Sequence, residues 1–165
     1  MTAQSIYIID SCSLIDLMRM NPMDIYESVW SRLEEHARHG FIVSHEEVMR
    51  ELAGKDDELT EWTKRNSKMF KRVTSLQAAK VVEIQRTNPT LIDPEKDAPE
   101  ADPFLIALAL ETGAQQTIVP TERRMIIVTE ERPKKGKVNI PSVCQTYGIE
   151  CIPIIEMFRR EGWKF

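Results

Sequence analysis

A chain of 165 residues, 42% hydrophobic and 29% charged, suits one soluble α/β-sized domain with a real core and rarely two. No apolar run approaches the ~20 residues that span a bilayer, so no membrane association is expected. The net charge of −4 argues against an indiscriminate polyanion binder, and the three cysteines, Cys12, Cys144 and Cys151, form neither a disulfide framework nor a zinc knuckle. The amino terminus lacks the basic flank and long apolar segment of a secretory signal, and a cytoplasmic location is the expectation.

Ile6 to Ile9 is a run of high β-propensity that reads as a buried strand, ending at Asp10-Ser11-Cys12-Ser13. In a parallel sheet this places Asp10 at the carboxyl edge, where ligands bind; as a plain N-cap of the next helix it is equally well accounted for. Cys12 to Met20 reads as a short helix stopped by Asn21-Pro22. Pro22 then opens a longer helix with Ile25, Val29, Leu33 and Ala37 facing the core, closed by Gly40. Phe41-Ile42-Val43 is a brief strand. Ser44 is expected to cap a helix to Ala53, with Glu47 at the capping-box position and Glu51 one turn on along the same face.

Residues 57–87 read as a charged helical arm, two helices or one kinked near Met69 to Val73, anchored by Trp62, Phe70, Val73, Leu76, Val81 and Ile84. Charge is segregated here. Residues 61–80 hold six basic side chains, including Lys64, Arg65 and Lys68, against one acid, whereas residues 91–111 hold six acids against one base. An irregular acidic loop over residues 93–99 leads into Asp102-Pro103 and a nearly all-apolar helix that Gly113 is expected to end. Asp102 is thus an acid at the positive end of a core helix. Met125 to Thr129 is a second core strand with Glu130-Glu131 at its carboxyl end, followed by a basic loop containing Lys134 and Lys135. A helix over residues 140–147 capped by Gly148, a strand near Ile149 to Pro153 and a final helix complete the chain. The alternation predicts one α/β domain over residues 1–165, a doubly wound, mainly parallel sheet flanked by helices in three layers.

Four acids, Asp10, Glu51, Asp102 and Glu131, are tied to strand ends or helix starts that a parallel sheet gathers at one edge. Carboxylates packed together repel one another unless a cation neutralises them, and Mg²⁺, or Mn²⁺ on the same ligand type, answers that need. Cys12 reads as buried packing. His36, His39 and His45 read as solvated or capping groups, and Trp62 and Trp163 read as core rather than base-stacking platforms. A haloacid-dehalogenase-type phosphatase would need a second Asp where Cys12 stands.

The segments Ile8-Ile9-Asp10-Ser11-Cys12-Ser13-Leu14-Ile15, Glu51-Leu52-Ala53-Gly54, Asp102-Pro103-Phe104-Leu105-Ile106-Ala107 and Ile127-Val128-Thr129-Glu130-Glu131, in this order, resemble the PIN domains, which include VapC-type toxins. A Trp like Trp62 and an Ile-Pro-x-x-Cys like Ile140 to Cys144 are similar to a little-studied branch of that family. The resemblance implies a metal-dependent endoribonuclease with Asp10, Glu51, Asp102 and Glu131 as its catalytic acids. Asp10, Asp102 and Glu131 would be metal ligands, with Ser11 and Thr129 orienting the carboxylates. It also implies an RNA substrate, an antitoxin protein as partner and a homodimer. On this reading Ser11 and Ser13 take over the capping of the first helix, and Lys64, Arg65, Lys68, Lys134 and Lys135 are candidate RNA contacts. Glu131 stands where the family usually has Asp, which opens the alternative of a PIN-like module that binds RNA or protein without cutting.

Overall fold

The computed structural model describes residues 4–96, 100–115 and 123–165, so Asp97 to Pro99 of the acidic loop lie outside the described residues. Five strands occur among the described residues: β1 (Gln4–Ile9), β2 (Ile42–His45), β3 (Phe70–Lys71), β4 (Arg123–Val128) and β5 (Glu150–Ile152). They form one parallel sheet in the order β3-β2-β1-β4-β5. The central strands are apolar on both faces: Ile8, Ile9, Ile126, Ile127 and Val128 are fully buried. This is what a parallel sheet covered on both sides requires.

The helices are α1 (Ser11–Met20), α2 (Glu27–Arg38), α3 (Glu46–Leu52), α4 (Asp57–Arg65), α5 (Ser75–Thr87), α6 (Asp102–Gln115), α7 (Ile140–Tyr147) and α8 (Ile154–Arg160). The chain is therefore a mixed α/β domain of the doubly wound kind. Its strand order runs outward from β1 to β3, then returns to β4 beside β1 and runs outward to β5. The direction reverses between β1 and β4, which makes the crevice at their carboxyl ends the topological switch point.

Several local expectations are corrected. Residues 22–26 form a turn closed by the Tyr26 N–H on the Pro22 carbonyl at 2.9 Å, so the second helix begins only at Glu27 and Ile25 is solvent-exposed. The arm does break near Met69, but the break carries a 3-10 turn (Ser67–Met69) and β3, a two-residue strand too short to leave a sequence signal. Trp62, Phe70, Val81 and Ile84 are buried there, whereas Val73 and Leu76 face solvent. Gly113 lies within α6, which runs on to Gln115. Gly148 does cap α7, with φ +69° in the left-handed region that glycine enters without strain.

Trp62 packs edge-on against Trp30, ring centres 5.3 Å apart, and Trp163 stacks on Phe158 at 5.2 Å; both indoles are core. The contrast along α5 gives a test. Ile84→Ala should cost about 2–5 kcal/mol because it leaves a cavity between α5 and the core. Leu76→Ala should stay within about 0.5 kcal/mol. Urea unfolding of the two variants, read as midpoint shifts at constant slope, separates them.

Candidate active site

Asp10 is where β1 ends and α1 begins. Its N–H still bonds the Val128 carbonyl at 2.9 Å, one step past the strand, and its side chain is the N-cap of α1, accepting from the Ser11 N–H at 2.6 Å. Asp10 thus caps the helix itself; Ser11 and Ser13 do not take over that task. Ser11 Oγ donates to Glu51 Oε2 at 2.6 Å and lies 3.3 Å from Asp10 Oδ1, while Ser13 Oγ reaches the Val128 carbonyl at 3.3 Å and Glu130 Oε1 at 3.4 Å. Two further donors converge on Asp10 Oδ2: Cys12 Sγ at 3.0 Å and Thr129 Oγ1 at 3.1 Å. A carboxylate offers about four lone-pair positions. Both on Oδ2 and one on Oδ1 are taken, which leaves one on Oδ1 facing Ser11 Oγ, whose proton is committed to Glu51.

Glu51, in the last turn of α3, is held at both oxygens. Oε2 takes the Ser11 hydroxyl, and Oε1 accepts from the Ala101 N–H at 2.8 Å. That amide opens α6 and would otherwise be an unpaired donor at a helix start. Glu51 therefore joins the beginnings of α1 and α6. α3 is capped by His45 rather than Ser44: His45 Nδ1 accepts from the Glu47 N–H at 3.1 Å, and Ser44 Oγ instead donates to the Ile9 carbonyl at 2.6 Å. Burial lowers the His45 pKa and keeps it a neutral acceptor at Nδ1, with Nε2 donating to Gln77 Oε1 at 3.0 Å.

Asp102 is the first residue of α6, directly behind the buried Ala101, and Pro103 is the second. Among the described residues its carboxylate receives no hydrogen bond. Burial, and then the like charges of Asp10, Glu131, Glu51 and Glu100, push its pKa up to about 8. Asp10 is raised too, by burial and by Glu51, against the bonds from Cys12, Thr129 and Ser11. The structure thus brings Asp10, Glu51 and Glu131 within electrostatic reach of Asp102, from separate parts of the chain.

Glu131 follows β4 by three residues. Its N–H bonds Thr129 Oγ1 at 3.2 Å, and its Oε2 accepts from the Ile140 N–H at 3.1 Å at the start of α7. Its neighbour Glu130 turns away to fasten α8, accepting from the Ile154 N–H at 2.9 Å. The exposed loop bearing Lys134 and Lys135 leaves from Glu131 and returns at Asn139, whose Nδ2 donates to the Arg132 carbonyl at 2.8 Å. That loop borders the acids. Lys64, Arg65 and Lys68 do not: Lys64 pairs with Glu61 at 2.8 Å, and Arg65 and Lys68 line a hollow with Glu34, Arg38 and Met69. This hollow lies beside the turn that leads into β3, and none of the four acids lines it.

Two residues that sequence reading passed over belong here. Cys12 is a donor to Asp10 and not merely packing; its place in the first helical turn, where side chains lean back toward the cap, was the available signal. Glu100, paired with Lys96 at 3.0 Å, adds to the field on Asp102 and was hidden among the other acids of the loop.

The donor set fits a hard divalent cation in kind, being all oxygen and strongly anionic, and Asp102 offers unengaged lone pairs. Among the described residues, no three His, Cys, Asp or Glu side chains are already grouped closely enough to hold a metal between them. Residues 7–165 match the family model described as "Domain of unknown function (DUF4411)". The chain belongs to the DUF4411 family. No curated protein matches it significantly. In this DUF4411 chain the match begins at β1 and takes in all four acids.

The shift on Asp102 makes a pH prediction for the metal-free protein. Well below pH 4 the group is protonated folded and unfolded, and it contributes nothing to the pH dependence. Between about 4 and about 8 the unfolded chain gives up that proton and the folded one keeps it, so stability falls as pH rises. Asp102→Asn should therefore raise the melting temperature in chelator at pH 8 and leave it nearly unchanged at pH 4. Scanning calorimetry at both values reads the difference.

Proposed function

We propose that this DUF4411 protein is a PIN-like, metal-dependent endoribonuclease that hydrolyses RNA phosphodiesters, acting as the toxin of a type II toxin–antitoxin pair in the cytoplasm. The observation that carries the reading is the convergence of Asp10, Glu51, Asp102 and Glu131 on the β1/β4 switch point, with Asp102 pushed up to about 8 by burial and by its neighbours' charge. Carboxylates held at that cost to stability, at the ligand-binding edge of a doubly wound sheet, are what a cation site needs.

On this reading Asp102 and the remaining Oδ1 position of Asp10 are the direct ligands. Glu51 and Glu131 complete the acidic ring directly or through water. Bound there, Mg²⁺ or Mn²⁺ supplies a Lewis acid that lowers the pKa of water and stabilises charge on the leaving oxygen. The chain's own residues set the geometry. Ser11 Oγ keeps its proton on Glu51 Oε2, Thr129 Oγ1 keeps its proton on Asp10 Oδ2, and together they hold two carboxylates at fixed angles. Lys134 and Lys135, beside Glu131, are the basic residues placed to meet the RNA backbone. An antitoxin and a second copy of the chain complete the proposed set of partners.

A second reading, a module that binds RNA or protein without cutting it, is favoured by one observation: Glu131 Oε2 is spent on the start of α7.

Purified protein with labelled single-stranded RNA distinguishes the two. Cleavage should require Mn²⁺ or Mg²⁺ and fall to the chelator background in Asp10→Asn and Asp102→Asn, which should also lose toxicity when expressed in cells. Equal cleavage by these variants sinks the nuclease reading, and metal-independent RNA retention without products establishes the binding module. Exchanging Lys134 and Lys135 for Ala should raise KM for RNA several-fold, an effect that fades with added salt. The same exchange at Lys64 and Arg65 should leave KM unchanged.

A further inference from the structure

The geometry points to Cys12 as the residue that positions Asp10 for its cation, by holding Oδ2 with the thiol proton and tying it to the end of β4. This deepens the proposed nuclease reading and rests on it. The thiol sits in the first turn of α1 and donates to Asp10 Oδ2 at 3.0 Å. Its sulfur accepts from the Glu130 N–H at 3.4 Å and touches Thr129 Oγ1 at 3.4 Å. The protons can be assigned one by one. Thr129 has a single hydroxyl proton, and its oxygen already accepts the Glu131 N–H, so that proton goes to Asp10 Oδ2. Cys12 has a single thiol proton and, among the described residues, bonds no other carboxylate, so it shares the same oxygen.

Two donors on one oxygen fix the carboxylate plane and leave Oδ1 as the side turned toward a cation. The sulfur also carries the strand end. Glu130 hangs from it by a backbone bond, and Glu131 is the next residue. Cys12 therefore adds a side-chain tie between the acid that ends β1 and the backbone that leads to the acid following β4. It does so as a donor, its proton directed at Asp10 Oδ2.

The test uses the whole protein and Mn²⁺ as the probe. Titration calorimetry should find the Mn²⁺ affinity of Cys12→Ala weakened about 10–100-fold, the usual effect of removing a partner that orients a metal ligand. Cys12→Ser, which restores a donor at that place, should recover most of it. Circular dichroism checks that both variants are folded. Infrared spectra give a readout independent of metal. The S–H stretch that disappears in Cys12→Ser should lie at the low frequency of a thiol bonded to a carboxylate, and should move up in Asp10→Asn.

If the Ala variant binds Mn²⁺ like the wild type, or the band does not respond to Asp10→Asn, the positioning role is overturned. Wild type that binds no Mn²⁺ overturns it as well. If the wild type binds Mn²⁺ with the expected Ala and Ser split but cuts no RNA, the nuclease reading fails while the positioning role stands.

Discussion

Everything at the acidic edge depends on the parallel register of β1 against β4. Ile9 lies opposite Val128, and the ladder then continues one residue beyond each strand. The Asp10 N–H takes the Val128 carbonyl, and the Thr129 N–H takes the Ile152 carbonyl on β5 at 3.0 Å. Asp10 and Thr129 are therefore fixed as neighbours by backbone bonds before any side chain is considered. A slip of one residue would turn both toward the apolar faces of the sheet. The strand order reverses at this same seam, the place in a doubly wound sheet where ligands bind.

A fold stabilised only by burial would not gather four carboxylates there. Asp102 opens an otherwise apolar helix and is exposed to the charges of three acids from other elements. The surrounding polar groups are arranged so that the acids themselves do structural work. Asp10 caps α1, Glu51 satisfies the amide that opens α6, and Glu131 the amide that opens α7. Anionic side chains are favourable at such helix starts, which offsets part of their mutual repulsion. Asp102 is the exception, with no donor among the described residues, and burial and its neighbours' charges raise its pKa. Local violations of this kind are characteristic of sites kept for chemistry.

The basic residues divide in two. The loop after Glu131 is pinned at both ends, by the Ile140 amide on Glu131 and by Asn139 on the Arg132 carbonyl, and Lys134 and Lys135 are exposed between them. The richer basic run in the arm has its own partners: Lys64 pairs with Glu61, and Arg65 and Lys68 line a hollow with Glu34. Its charge is contiguous in sequence with nothing at the site.

What the sequence by itself determined is the set of local patterns. The runs at Ile6 to Ile9 and Met125 to Val128 could only be buried strands. Asp102-Pro103 could only open a helix, and Gly148 was the evident end of one. These are legible because periodicity, proline and glycine act within a few residues. Tertiary structure alone decided that Asp10 remains the cap while accepting from Thr129, and that Cys12 is a donor and not filler. It alone placed Glu51 across two helix starts, brought β3 into the sheet and set Arg65 and Lys68 in a hollow with Glu34. Each of these depends on pairing between segments 26 to 119 residues apart. No local pattern carries that information, because strand register is chosen by the whole set of buried faces at once.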